Sequence, residues 1–274
     1  MLKVGRIDFA NCTPLFMALN EGGSLPDVEL VNGHPTALND LLSTGGIDLS
    51  PSSSIAYLRD PARLGFLPDL SISSIGDVGS VMLFSHVPLE KLDGRPVGLT
   101  PSSATSVVML KVLLERFAGM KPEYIPQDMS ADAALLIGDA ALREVKSRSW
   151  PHVYDLGRLW HDATGTPFVF ALWIVRRAAY EADPSAVRAF YRRLVAARQT
   201  AYRNYARYAR EAPEAEWMGE SDLLEYWGTL SYDLTAWHMA GLARFAREIA
   251  ALGAIGDLPD LKPVPVEDAG AGIP

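Results

Sequence analysis

The sequence predicts an α/β protein of two lobes with a ligand cleft between them. Two observations carry this. The first sixty residues alternate short apolar strands with helices, the rhythm of a largely parallel sheet. Further along, an apolar strand-like segment, 167–175, follows a second run of α/β elements and precedes a helical remainder. That segment is expected to carry the chain back to the first lobe, so that two crossings make a hinge. The composition fits, with 274 residues, 49% hydrophobic and 21% charged, a globular balance long enough for two lobes.

The elements follow in order. Residues 2–9 read as the first strand, with Val4, Ile7 and Phe9 as its main apolar positions. Asn11-Cys12-Thr13-Pro14 comes next, and Pro14 suits the first turn of a helix to about Asn20, where no intrahelical N–H is needed. A strand over 28–31, a helix over 35–42 stopped by Gly45-Gly46 and a strand over 47–50 follow. Pro51-Ser52-Ser53-Ser54 opens a helix over 55–59. Strands are predicted over 70–75, 79–85 and 97–99, with a polar connector over 88–96. A helix from Ala104 to Phe117 carries Val107, Leu110, Val112, Leu113 and Leu114 and stops at Gly119. Strands over 133–137 and 153–156 follow, and 161–166 reads as a loop. After the returning strand, Asp183-Pro184 supplies an N-cap with proline at the first helical position. Val187, Phe190, Leu194, Ala197, Ala201, Tyr205 and Tyr208 then recur at helical spacing. Helices over 221–227 and 235–251 complete the fold, and the Pro/Gly-rich tail beyond Asp257 is expected to fray. Lobe one is therefore 1–85 plus 170–274 and lobe two 90–165, with hinge crossings near 85–90 and 166–170.

Composition narrows the function. The net charge of −8 argues against a nucleic-acid partner, which needs a basic face. It leaves room for a small anion held by backbone N–H groups and helix N-termini. The single cysteine, Cys12, rules out an internal disulfide and a cysteine-type zinc site and is expected to be buried and structural; none of the five histidines stands at ligand spacing to another. No metal is expected. No Walker A, G-x-G-x-x-G or G-x-S-x-G pattern appears, and no cofactor is expected. No run is long enough to span a membrane, and the N-terminus enters a strand without a signal-peptide pattern, so a cytoplasmic protein with no membrane partner is expected. Nothing in the sequence specifies an oligomeric state. Phe190, Tyr191, Tyr202, Tyr205 and Tyr208 read as helix packing, the arginines between Arg188 and Arg210 as a solvated face, and Trp217, Trp227 and Trp237 as core or lobe packing.

Three places share a strand end, a tight polar turn and a helix N-terminus: 11–14, 50–54 and 100–106. In open α/β sheets ligands gather at the carboxyl ends of strands, and a helix N-terminus favours an anion. Ser102, Ser103, Thr105 and Ser106 add hydroxyl donors. Each cluster also reads as helix capping alone. Gly138-Asp139-Ala140-Ala141-Leu142 puts a carboxylate at a strand-to-helix turn, either as a general base or as the cap of a helix from Ala140.

Val4-Gly5-Arg6-Ile7-Asp8-Phe9-Ala10-Asn11-Cys12-Thr13-Pro14-Leu15 resembles the opening of the futalosine-pathway menaquinone biosynthesis proteins, in the chorismate dehydratase branch. Residues 47–54, Gly79-Ser80-Val81, Ser102-Ser103-Ala104-Thr105-Ser106, 137–142 and 230–234 resemble that branch in the same order, over nearly the whole chain. Asp8 and Ala10 depart from the bulkier or less acidic neighbours expected beside Asn11. The resemblance implies a type II periplasmic-binding-protein fold and cofactor-free loss of water from chorismate to give 3-enolpyruvylbenzoate. On that basis Ser102, Ser103, Thr105 and nearby backbone N–H groups are expected to hold one carboxylate of a dicarboxylate substrate. Ser52, Ser53 and Ser80 are expected to contact its other end, and Asn11 to orient the ring hydroxyl or a carboxylate. Asp139 is the candidate base, the alternative being a carboxylate of the substrate itself.

Three other readings share the fold: a non-enzymatic solute-binding protein for a small carboxylate, the sister 1,4-dihydroxy-6-naphthoate synthase, and a ligand-sensing regulatory domain. The absent signal peptide opposes the first. The sister enzyme is expected to use a histidine base in lobe two, and neither His152 nor His161 sits in the turn where a base belongs. The last lacks a DNA-binding segment.

Overall fold

The computed structural model describes residues 1–266. The chain opens with β1 (Leu2–Ile7), α1 (Thr13–Glu21), β2 (Val28–Gly33), α2 (Pro35–Thr44), β3 (Leu49–Ser53), α3 (Ser54–Arg59) and β4 (Leu64–Ser74). It crosses to β5 (Val81–Ser85), β6 (Pro96–Leu99), α4 (Ala104–Lys111), β7 (Glu123–Pro126), β8 (Ala133–Ile137), α5 (Gly138–Ser147), β9 (His152–Asp155) and α6 (Leu156–Thr164). It returns through β10 (Phe168–Arg176) to α7 (Arg177–Ala182), α8 (Pro184–Glu211), α9 (Ala215–Met218), α10 (Glu220–Thr229), β11 (Leu230–Leu234) and α11 (Ala236–Ala251). The helix expected through Phe117 continues beyond α4 as a π-helical segment over Val112–Phe117.

Each lobe has its own sheet. The first runs β11-β4-β10-β3-β1-β2 and the second β7-β6-β8-β5-β9. The expectation of a largely parallel sheet is corrected. In the first sheet only β1 pairs in parallel, with β2 and β3, while β10 is antiparallel to β3 and β4, and β11 to β4; in the second, β6 is parallel to β7 and β8, and β5 antiparallel to β8 and β9. The reason lies in the crossing. β10 re-enters from the second lobe at the edge where β3 and β4 end, with Ala171 opposite Ser53 and Phe168 opposite Ser74, so it must run against both. Likewise, β5 lies in the second sheet between β8 and β9, so the first crossing falls at 75–80, ahead of the stretch expected.

Other departures have local causes. Residues 161–164 are helical because Asp155 caps α6, accepting from Gly157 N–H and Arg158 N–H, and the stop is Gly165 in the left-handed region. That helix buries only Leu156, Gly157 and Trp160, too sparse a stripe to announce itself. β7 and β11, four and five residues long, gave no separate signal. The tail does not fray as far as it is described. Tyr57 OH donates to Asp260 O at 2.7 Å, Val264 N–H to Phe66 O at 2.9 Å and Tyr180 OH to Pro265 O at 2.6 Å. The rest of the expected frayed tail, 267–274, lies outside the described residues.

One hydrophobic cluster runs through both lobes. At the returning crossing it is aromatic: Trp160 of α6, Phe168 of β10 and Phe245 of α11 meet with centroids 4.9 to 5.9 Å apart. Phe190 and Tyr208 of α8 are buried as their spacing predicts, and so is Trp227, whereas Trp237 is 45% exposed. The arginine face of α8 is less free than expected. Arg198 reaches Asp69 O and Asp233, and Arg207 pairs with Glu21 at 2.6 Å.

Candidate functional site

A cleft between the lobes encloses about 600 Å³, counted out to its open mouth. The first lobe contributes Ile7, Phe9 and Asn11 from the end of β1, Pro35 from α2, Ser53 from β3, Ile72 from β4, Phe170 and Ala171 from β10, and Leu230 from β11. The second contributes Val78, Ser80 and Val81 at the entry to β5, Ser102, Ser103 and Ser106 at the start of α4, and Ile137 and Gly138 between β8 and α5. Among the described residues, those lining the cleft include no charged side chain. The polar groups the cleft presents are hydroxyls, an amide and backbone N–H groups, set inside apolar walls.

The first wall is the turn after β1. Its backbone is pinned by three side chains distant in sequence. Asp139 Oδ1 accepts Ala10 N–H at 3.0 Å, Trp227 Nε1 donates to Ala10 O at 2.8 Å, and Tyr232 OH donates to Asn11 O at 2.8 Å. The backbone satisfied, the Asn11 side chain is left over: its Oδ1 is buried and has no hydrogen-bond partner. A buried carbonyl oxygen without a donor is costly, and this one stands in a cleft wall.

Opposite it, Ser103 caps α4, accepting Ser106 N–H at 3.1 Å, while its own hydroxyl donates to Ser106 Oγ at 2.9 Å. Residues three apart share a helix face, so Ser103 and Ser106 look into the cleft together. Thr105, rotated away, does not line it. Its Oγ1 accepts Ile55 N–H from α3 of the other lobe at 3.2 Å. Alternation separates the next pair in the same way: Ser53 lines the cleft, whereas Ser52, its neighbour on β3, is buried off it. Ser80 lines the cleft, and its Oγ accepts the Tyr226 hydroxyl at 2.9 Å.

Asp139 neither lines the cleft nor caps a helix. α5 begins at Gly138, and the Asp139 carboxylate bridges the lobes through Ala10 N–H. Burial pushes its pKa up, the Ala10 N–H holds it down in part, and the Glu214 carboxylate adds to the rise. Gly138 lets this seam close. Its φ is +59°, and a Cβ there would stand 3.1 Å from two ring carbons of Phe9. Cys12 is buried, and burial raises its thiol pKa. Among the described residues no group of three or more His, Cys, Asp or Glu is placed to hold a metal ion, and no helix is long and apolar enough to cross a membrane.

The cleft thus brings together Asn11, Ser53, Ser80, Ser102 and Ser103 and leaves out Ser52, Thr105 and Asp139. Sequence reasoning did not assign Phe9, Phe170 or Tyr226 to the site. Ser106 had a signal in its spacing from Ser103; Tyr226 had none.

Comparison with known proteins gives consistent results. Among solved structures, a crystallised Archaeoglobus fulgidus protein matches with a TM-score of 0.73 at 18% identity, covering 93% of this chain and 98% of its own. The periplasmic aliphatic sulphonate-binding protein of Escherichia coli matches at 0.64 and 17% identity over 95% of each chain. These establish the two-lobed periplasmic-binding-protein-like fold. In sequence, the chain is 36% identical over 266 residues to a chorismate dehydratase of Thermus thermophilus, covering 88% of this chain and 92% of that protein. It is 30% identical over 183 residues to a chorismate dehydratase of Campylobacter jejuni, covering 65% and 70%. The family model described as menaquinone biosynthesis matches residues 2–251, and the chain belongs to that family.

Proposed function

We propose that this chain is a chorismate dehydratase, a hydro-lyase that removes water from chorismate to give 3-enolpyruvylbenzoate. The observation that carries the reading, beside the 36% identical relative, is the unpartnered buried Oδ1 of Asn11 in the wall of a cleft lined by serine hydroxyls. An acceptor there asks for a donor on the ligand, and the ring hydroxyl of chorismate is one. The hydroxyls of Ser102 and Ser106 and the N-terminus of α4 suit one carboxylate, with Ser103 orienting Ser106 by donating to its Oγ, and Ser53 and Ser80 suit the other. Phe9, Ile72, Phe170 and Leu230 supply the apolar wall for the ring.

The chemistry asks little of side chains. A ring proton and the ring hydroxyl leave together as water, and the product gains an aromatic ring. Holding the substrate so that one of its own carboxylates reaches the ring proton, while Asn11 holds the hydroxyl, places the reacting groups without a protein base. Among the residues that line the cleft there is no carboxylate, and Asp139 is engaged with Ala10 N–H, so in this reading the substrate carboxylate takes the ring proton and passes it to the departing hydroxyl, which leaves as water. A biosynthetic role is in keeping with the cytoplasmic location expected from the sequence.

The test is to mix purified protein with chorismate, without added metal or cofactor, and to follow products by chromatography and mass. A product lighter by one water with aromatic absorbance supports the reading. Binding without turnover points to solute binding or to the sister synthase, and neither binding nor turnover overturns the assignment.

A further inference from the structure

Tyr226 is a buried hydroxyl on α10, an element of the first lobe, whose one oxygen reaches across to the second lobe. It donates to Ser80 Oγ at 2.9 Å. The contact is held on both sides. The Ser80 carbonyl accepts Gly138 N–H at 2.7 Å, fixing the Ser80 backbone beside the cleft. Gly79, at φ +70°, lets the Tyr226 ring pass close: a Cβ there would stand 3.3 Å from Tyr226 Cδ2. Thr229, one turn along α10, donates to Tyr226 O at 2.8 Å and stands 3.3 Å from Val78 O, so the same helix lies against the same strand entry.

A serine hydroxyl has one proton and two lone pairs. With one lone pair taken by Tyr226, the Ser80 proton has no hydrogen-bond acceptor among the described residues, and Ser80 lines the cleft. We propose that Tyr226 is a positioning residue that orients the Ser80 hydroxyl as a hydrogen-bond donor toward an anionic group of the substrate. The proposal rests on the chorismate reading and adds a residue to it. Burial raises the Tyr226 pKa, with the Ser80 hydrogen bond working against that rise, so the phenol keeps the proton it donates.

An oriented donor to the carboxylate that does not take the ring proton acts alike on bound substrate and transition state, so its loss raises KM and leaves kcat in place. The test is steady-state kinetics on chorismate for Tyr226→Phe, Ser80→Ala and the double variant, with each melting curve recorded. Tyr226→Phe is expected to raise KM roughly fivefold to tenfold with kcat little changed. Ser80→Ala should do at least as much, and adding Tyr226→Phe to it should change KM by less than about twofold, because the phenol acts through that one oxygen. A purely structural tyrosine would lower the melting temperature and the active fraction, hence apparent kcat, and leave KM alone. That pattern, or a full additional loss in the double variant, overturns the proposal. Should Tyr226→Phe fail to fold, an unchanged KM in Ser80→Ala overturns it alone. Wild-type protein inert toward chorismate fails the functional reading first; active wild type with an unmoved KM in Tyr226→Phe fails this inference only.

Discussion

Asn11→Ala separates a binding role from a structural one, because the two predict opposite patterns. In the unliganded protein Asn11 Oδ1 is buried without a partner, and an unmet buried acceptor costs on the order of 1–3 kcal/mol. Truncation removes that cost along with some packing, so the empty protein should change by no more than about 1 kcal/mol. The turn itself survives, since Trp227, Tyr232 and Asp139 hold its backbone and not the Asn11 side chain. With substrate bound, the variant lacks the acceptor for the ring hydroxyl, and affinity should fall roughly tenfold, about 1.4 kcal/mol. Denaturant unfolding with and without ligand reads both effects. At a ligand concentration of about one hundred times the wild-type Kd, wild type gains about 2.7 kcal/mol, and a tenfold weaker variant gains only about 1.4 kcal/mol. A variant that loses more than about 2 kcal/mol when empty, with its ligand-induced gain intact, would refute the reasoning and make Asn11 a structural residue.

Further substitutions test the rest of the cleft. Asp139→Asn keeps an oxygen for Ala10 N–H and removes the charge. Because burial raises the Asp139 pKa in the folded state, its stabilising contribution is full below the ordinary carboxylate range and is lost as pH rises through the raised value. The variant should therefore be at least as stable as wild type at neutral pH, with turnover retained within about tenfold; abolished turnover with binding intact would make Asp139 the base. Thr105→Val leaves the buried Ile55 N–H without its acceptor and should cost about 1–3 kcal/mol in denaturant unfolding, with substrate affinity within about twofold because Thr105 is off the cleft. Glu248 has the opposite sign. Burial works against its charge, but Arg116 at 2.6 Å and Arg244 at 2.8 Å bring its pKa below the usual range. It stabilises above that range and loses the contribution as pH falls, so a stability profile between about pH 3 and pH 7 should be flatter for Glu248→Gln.

What was legible in the sequence was local. The alternation of apolar strands with capped helices, Pro14 and Pro184 at helix starts and the glycine stop at Gly45 depend on neighbours a few residues away. The serine-rich turns at strand ends were visible for the same reason, and Asn11, Ser53, Ser102 and Ser103 do line the cleft. Which hydroxyl of a run faces the ligand was not legible, since it depends on the residue at which each element starts. With α4 beginning at Ala104, Ser103 and Ser106 face inward and Thr105 turns toward α3.

Everything that crosses between distant segments was decided by tertiary structure alone. Asp139 looked like a base or a cap because a carboxylate at a strand-to-helix turn has those local uses, and its partner is an amide 129 residues earlier. Tyr226 and Ser80 are 146 residues apart, and Trp227 stands 217 residues from the carbonyl it fixes. Strand direction falls in the same class: β10 runs antiparallel because of where the chain re-enters the first lobe, and nothing in 168–176 encodes that. The physical reason is common to all of these. Propensity, capping and periodicity are set by short-range sterics and hydrogen bonds, whereas the pairing of a buried polar group depends on which surfaces the packed lobes bring together.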